Sequence, residues 1–237
     1  MSEISDTLFV ITARGGSKGI PKKNSKLLAG KPLICYSIDI ARQLAIDADI
    51  CVSTDSNEIM EIVTQYGLKV PFIRPSELAQ DTSGSQEVLI HCLDFYKSIG
   101  KNYTKLVLLQ PTSPFRTIQQ TREAIALFDN TLDMVVSVKE SDTNPYYNLF
   151  EPDACGLLIK SKTGYYTRRQ DCPVVYQYNG AIYVINTNSI YRTPMSQFKK
   201  VKGFMMDELT SLDIDNPLDW NWAEFLIENN LVLIKNL

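Results

Sequence analysis

The stretch that most constrains this chain is Thr12–Asn24, TARGGSKGIPKKN. It follows an apolar run, Leu8-Phe9-Val10-Ile11, that predicts a buried strand. It precedes Pro32 and an apolar-periodic segment that predicts a helix. Between them stand Gly15, Gly16 and Gly19 with Arg14, Lys18, Lys22 and Lys23. Glycine lets backbone N–H groups come close to a ligand, and Lys and Arg supply charge for phosphate oxygens. From Thr7 to Ile38 there are six cations and no Asp or Glu, although the whole chain carries a net charge of -3. An electropositive loop on an acidic protein points to a polyphosphate guest. The competing reading is a solvated basic turn.

Two common phosphate patterns are absent. The P-loop needs Lys and then Ser or Thr after its last glycine, whereas Gly19 is followed by Ile20 and Pro21. The dinucleotide fingerprint needs G-x-G-x-x-G and an acid roughly 20 residues on, whereas Asp55, the acid ending the second predicted strand, lies much farther along. Hydride transfer is therefore disfavoured.

The rest of the chain predicts alternating strands and helices. Helices are expected over Pro32–Leu44, from an Asp55 or Ser56 cap to Tyr66, over Ser85–Ser98, and from Thr117 to about Asp129. Strands are expected over Asp49–Thr54, Lys69–Ile73, Lys105–Gln110 and Asp133–Lys139. The alternation implies an α/β fold, a mainly parallel sheet with helices on both faces. Ligands then bind beyond the carboxyl ends of the strands, so the loops at 13–24, 74–85 (with Asp81) and 111–116 are expected to converge on one cleft. Residues 140–178, rich in Tyr, Pro, Asn, Asp and Thr, break the alternation and read as an excursion with short β-like runs at Gly156–Lys160 and around Tyr165. Asn179–Ile185 returns to the sheet, Val201–Met206 is a further strand candidate, and a last helix covers roughly Leu218–Glu228.

Length and composition bound the function classes. A chain of 237 residues, 44% hydrophobic and 22% charged, fits one globular domain with or without a smaller lobe. Mild acidity argues against nucleic acid or a membrane surface as partner. No apolar run approaches a membrane span, and MSEISD does not start a secretion signal, so a cytoplasmic location is expected. Cys35, Cys51, Cys92, Cys155 and Cys172 are scattered and odd in number, and read as reduced thiols.

Few other residues can carry chemistry. Asp213 and Asp215 flank Ile214, which in an extended segment puts both carboxylates on one face. That arrangement suits Mg²⁺, which takes one or two carboxylates plus substrate phosphates; alternatively the acids cap the helix near Pro217. Gln110 ends the most apolar strand. Arg169, beside Arg168, either clamps a carboxylate or makes a surface or subunit ion pair. Asn179 precedes Gly180 and is either a ligand contact or a turn residue. His91 is the only histidine and reads as structural, so no Ser-His or Cys-His pair is available.

Seven segments in order, ARGGSKGIPKKN (13–24), VSTDS (52–56), RPSELAQDTSGS (74–85), LLQPTSPFR (108–116), RRQ (168–170), NGAIY (179–183) and SLDIDNP (211–217), span nearly the whole chain. On these the sequence resembles the N-acylneuraminate cytidylyltransferases, or CMP-sialic acid synthetases, and their relatives acting on other nine-carbon 2-keto sugar acids. The resemblance implies a single Rossmann-like nucleotidyltransferase domain over 1–237, with 140–178 as a dimerisation arm. It implies transfer of CMP from CTP to the anomeric hydroxyl of the sugar acid, with release of pyrophosphate. By the same resemblance Ala13, Arg14, Gly15, Ser17, Lys23 and Asn24 hold CTP, and Arg74 and Ser85 line the nucleotide pocket. Gln110, Arg169 and Asn179 meet the sugar acid, Arg169 at its carboxylate. Asp213 and Asp215 hold Mg²⁺, and Arg14, Lys23 and Asp213 carry catalysis. Many sialic-acid members have Arg two residues before the Asn of NGAIY; here that position is Gln177, which leaves the nine-carbon sugar open. Eight-carbon sugar acids are the alternative acceptors, although the relatives acting on them have a different first loop. A non-catalytic nucleotide-sugar binder on the same fold is the other alternative.

Overall fold

The computed structural model describes residues 6–80 and 84–232. The first strand, β1, is Thr7–Thr12, and the glycine–cation loop leads through a two-residue hairpin (β2, Leu27–Leu28; β3, Lys31–Pro32) to α1, Leu33–Arg42. Then follow β4 (Ile50–Ser53), α2 (Asn57–Gln65), α3 (Ser85–Ser98), β5 (Lys105–Leu109), α4 (Ile118–Ala126) and β6 (Met134–Glu140). The excursion contains β7 (Phe150–Pro152) and β8 (Leu158–Lys160), and the chain closes with β9 (Tyr176–Asn186), α5 (Thr187–Arg192), β10 (Val201–Met205) and α6 (Pro217–Glu228).

Helix starts follow local chemistry. Ser56 caps α2 by accepting from the Ile59 amide at 3.4 Å, and Gly67 stops the helix at φ +81. Thr117 and Gln120 form a reciprocal capping box on α4, as do Asn216 and Asp219 on α6.

The six-stranded sheet has the order β10-β6-β9-β5-β1-β4. Every neighbouring pair is parallel except those made by β9, which runs antiparallel between β5 and β6. Alternate residues of β1 serve opposite faces, as a strand requires. Phe9 and Ile11 join α1 (Ile34, Ile38), α2 (Ile59, Val63) and α4 (Ala124). Leu8 and Val10 join α3 (Leu89, Leu93) and α5 (Ile190). A third cluster packs α6 through Trp220 and Leu226 onto Tyr36 of α1, Ile20 of the first loop, Phe115 and Ile214. That cluster binds the two functional loops to the body of the fold.

Two expectations need correction, and one element was not anticipated. Lys69–Ile73 is no strand; only Ile73 forms a parallel bridge, to Thr54. Pro71 in that run lacks the N–H a ladder needs. The run around Tyr165 is irregular. The six-residue α5 turn, which starts directly after β9, was not anticipated; it is too short for a helical period to show. Asp81 and its neighbours 82–83, and the MSEIS start, lie outside the described residues.

Asp133 is the hinge between the strand ends at the amino side of the sheet. Its carboxylate accepts from Ser189 Oγ at 2.6 Å and from the Lys199 and Lys200 amides at 3.2 and 3.0 Å. The Ser189 bond and the Lys200 amide hold it below the usual carboxylate range. With a depressed folded value, its stabilisation is complete above the ordinary carboxylate range of about 4 and is lost as pH falls through the folded value. Asp133→Asn is therefore expected to melt earlier at neutral pH and to lose less stability than wild type below about pH 4. Parallel melting-temperature curves for the two proteins across that acid range would refute the assignment.

Candidate active site

A cleft of about 390 Å³ opens at the carboxyl ends of β1 and β5, where the fold rule places a ligand. Its floor is Thr12 of β1 and Gln110 just past β5, and the first loop, the loop after Arg74 and the 213–215 segment enclose it. The convergence expected from the three loops is therefore real. Of the residues singled out, Arg14, Ser17, Lys23, Asn24, Arg74, Ser85, Gln110, Asp213 and Asp215 line this cleft.

The first loop is held by its own turns and by the segments around it. Lys22 sits at φ 54, and its carbonyl accepts from the Ser25 and Lys26 amides at 3.0 Å. Ile20 is buried and anchors the loop to the third cluster. Gly19 is required sterically: a β-carbon there would collide with the Asp215 carbonyl oxygen. Ala13 and Gly15 sit behind the lining. The Ala13 amide donates to the Ser53 carbonyl at 2.9 Å, and the Gly15 amide donates to Asp55 Oδ1 at 2.9 Å. Asn24 Nδ2 donates to the Arg14 carbonyl at 3.1 Å, setting the turn that carries Arg14.

Lys23 crosses from this loop to the acid segment. Only 8% exposed, its ammonium donates to the Ile214 carbonyl at 2.6 Å and pairs with Asp215 Oδ1 at 3.2 Å. Asp213 lies deeper. Burial, together with the like charge of Asp215, pushes its pKa up, while the Thr112 hydroxyl, Lys23 and Arg116 oppose the shift. Two carboxylates converging on a partly dry cleft are a donor set for a hard cation. Among the described residues no group of three or more His, Cys, Asp or Glu is placed to hold a metal, so a cation here would need further oxygens from a ligand.

Arg74 is buried through contacts with β4. Its Nε donates to Ser53 Oγ at 3.0 Å and one terminal nitrogen donates to the Ser53 carbonyl at 2.5 Å. Burial lowers its pKa, Asp55 raises it, and the nearby like charge of Arg14 lowers it further. Arg14, Lys23 and Arg74 thus bring three cations to one cleft wall, an arrangement suited to a polyanion.

Besides Ala13 and Gly15, two more predicted residues stand outside the lining. Asn179 is buried and fully bonded: its Oδ1 accepts from Ser137 Oγ at 2.6 Å and its Nδ2 donates to Ser211 Oγ at 2.9 Å. It stitches the irregularity where β9 slips against β6 between Val136 and Val138. Beside that irregularity Gly180, at φ +75, packs against two side chains of the cleft lining. A β-carbon on Gly180 would come within 2.9 Å of Gln110 Oε1 and 3.2 Å of Asp213 Oδ2. Arg169 lies in the excursion and pairs with Asp142 at 3.1 Å. Sequence reasoning did not single out Leu78, Gln80, Val88 or Thr112 among the lining residues. They lie within or beside flagged loops, but nothing in their types distinguishes them from ordinary loop or helix residues.

Among the described residues no helix is long and apolar enough to cross a membrane. Cys35, Cys51 and Cys92 are buried, Cys155 is exposed, and all five cysteines are free.

A family model described as cytidylyltransferase matches residues 8–234. The chain is 36% identical to a CMP-N,N'-diacetyllegionaminic acid synthase of Legionella pneumophila, over 94% of this chain and 97% of that protein. It is 33% identical to an N-acylneuraminate cytidylyltransferase of Escherichia coli, over 91% of this chain but only 51% of that longer protein. A solved CMP:2-keto-3-deoxy-manno-octonic acid synthetase complexed with CTP superposes with a TM-score of 0.71 at 17% identity, over 94% of this chain and 99% of that one, and so shares its fold. Matched over nearly its whole length, with four of its seven motifs lining one cationic cleft, this chain belongs to the cytidylyltransferase family.

Proposed function

We propose that this protein transfers CMP from CTP to the anomeric hydroxyl of a nine-carbon 2-keto sugar acid of the sialic, legionaminic or pseudaminic kind, and releases pyrophosphate. The carrying observation is that Arg14, Lys23 and Arg74 share one cleft with Asp213 and Asp215. The first three match a triphosphate and the last two match its metal. The names of the legionaminic- and neuraminic-acid relatives point to the acceptor class.

The glycine–cation loop, with Arg14 and Lys23, holds the triphosphate, and Arg74 and Ser85 line the nucleotide end. Gln110 meets the sugar acid, and Asn179 fixes the backbone that brings Gly180 against it. The acceptor oxygen forms a bond to the α-phosphorus, the α–β bridging bond breaks, pyrophosphate leaves, and the hydroxyl proton passes to solvent. Positioning and charge stabilisation carry such a reaction, so no histidine base is needed. Asp213 and Asp215 would hold Mg²⁺, which, when bound, neutralises phosphate charge and lowers the acceptor hydroxyl pKa. Lys23 holds the acid segment through the Ile214 carbonyl whether or not Asp215 is engaged elsewhere.

The excursion fits a homodimer arm. Leu157, Leu158 and Ile159 are 66%, 70% and 54% exposed on or beside the β7–β8 hairpin. A two-stranded hairpin with an uncovered apolar face is marginal alone in water. A second subunit would cover it, and the partner subunit's Arg169 would then clamp the sugar carboxylate.

The deciding measurement is pyrophosphate release from CTP with Mg²⁺ across N-acetylneuraminate, its deaminated form, legionaminate, pseudaminate and an eight-carbon acid. Release with a nine-carbon acid, abolished by chelation, is expected. CTP binding without release on any acid would favour a binding protein instead. Arg14→Ala and Asp213→Asn should each lower kcat on the order of 10²–10³, the usual cost of losing one charge stabiliser. Near-wild-type turnover at saturating substrate and metal would remove either residue from the mechanism. Leu158→Asp should shift the protein from dimer to monomer in sedimentation; an unchanged sedimentation coefficient would exclude this hairpin from the interface.

A further inference from the structure

Arg116 closes the QPTSPFR run, and no step above uses it. It is 0% exposed, among the largest fully buried side chains of the fold. One terminal nitrogen donates to Ser37 Oγ of α1 at 2.8 Å, and the other donates to the Gln110 carbonyl oxygen. Its Nε finds no acceptor, and it forms no ion pair among the described residues. Its neighbour Phe115 belongs to an apolar cluster. A desolvated cation without a contacting counter-ion is costly, and an apolar side chain of similar volume would ordinarily pack there at less cost. What the guanidinium does that a methionine could not is grip a main-chain carbonyl.

That carbonyl belongs to the residue at which β5 turns into Pro111–Pro114. The same turn carries the acid segment. The Ile214 amide donates to the Thr112 carbonyl at 2.7 Å, Ser113 Oγ lies within 3.5 Å of Asp213 Oδ1, and the Thr112 side chain favours the charged form of Asp213. The Ser113 amide itself donates to the Gln110 carbonyl. The nucleotide half hangs on different bonds, Ala13 and Arg74 on Ser53 and Thr54.

We infer that Arg116 is the positioning residue of the acceptor half of the site: its grip on the Gln110 carbonyl sets the Gln110–Ser113 turn, and through that turn the Gln110 side chain and Asp213. What the two halves do rests on the cytidylyltransfer reading; the positioning itself does not.

The test uses Arg116→Met, Arg116→Lys and Ser37→Ala in the full chain, with two readouts. In amide hydrogen exchange, Arg116→Met should speed Ser113 and Ile214 by about tenfold or more, while Ala13 and Arg74 keep wild-type protection. In steady-state kinetics its kcat should fall about 10²-fold, as expected for a reacting group misplaced by roughly an ångström, with KM for CTP changed less than about threefold. Arg116→Lys, which can still reach one acceptor, should recover part of both. Ser37→Ala keeps the charge and the Arg116–Gln110 bond but removes the weaker 3.4 Å bond that Ser37 Oγ itself donates to that carbonyl; it should shift both in the same direction by less, and it carries the test if the methionine variant does not fold. Exchange rising equally at all four amides would mean a general loss of packing and would overturn the inference, as would unchanged exchange at Ser113 and Ile214. Absence of turnover in wild type would sink the reaction reading, while the exchange experiment would still decide the role of Arg116.

Discussion

The site depends on one buried ammonium. Lys23 belongs to the first loop, yet its bonds go to Ile214 and Asp215, nearly the whole length of the chain away. Burying a lysine is unfavourable unless its charge is met, and here a carbonyl and a carboxylate meet it. Ile214, between the two acids, is itself fully buried in the cluster that holds Ile20, Phe115 and Trp220. The apolar cluster supplies the adhesion and Lys23 supplies the register. Together they fix how far the cations stand from the acids.

Charge then explains why the cleft is built for a ligand. The Arg14 charge disfavours that of Arg74, and Asp215 does the same to Asp213. On the proposed reading each like-charge pair would be relieved by a species of opposite sign, a polyphosphate for the arginines and a metal ion for the acids, and a metal–triphosphate complex would relieve both at once. Preorganised charge of this kind requires no reorganisation when substrate arrives.

The antiparallel strand β9 does a separate job. Its insertion between β5 and β6 breaks the parallel pattern, and its slip against β6 is filled by Ser137 and Asn179. Beside the slip Gly180 packs against Gln110 and Asp213, where any side chain would crowd both. The same strand begins at Tyr176, paired there with Glu140 of β6, and connects to the excursion. One element thus shapes the acceptor wall and carries the segment that holds Arg169.

Much of this was legible in the sequence. Periodicity set the parallel core, because buried strands such as KLVLL and amphipathic helices with Ser or Thr caps are specified by neighbouring residues. The residue types of the first loop pointed to a polyphosphate, because they cluster cations with glycines, while those of the acid pair fitted either a metal or a helix cap. Local patterns could not show that Pro71 reduces a strand to a bridge or that α5 exists, since single residues and short turns decide those. Nor could they show that Asn179 is spent on stitching a slipped strand, that Lys23 reaches Ile214, or that Arg116 is wholly buried beneath Gln110. Apart from the six-residue span from Arg116 to the Gln110 carbonyl, those facts are contacts between residues tens to nearly two hundred positions apart. The sequence determined which chemistries were available; only the packing of α1, β5, β9 and the 213–215 segment decided which side chains face a ligand and which hold the others in place.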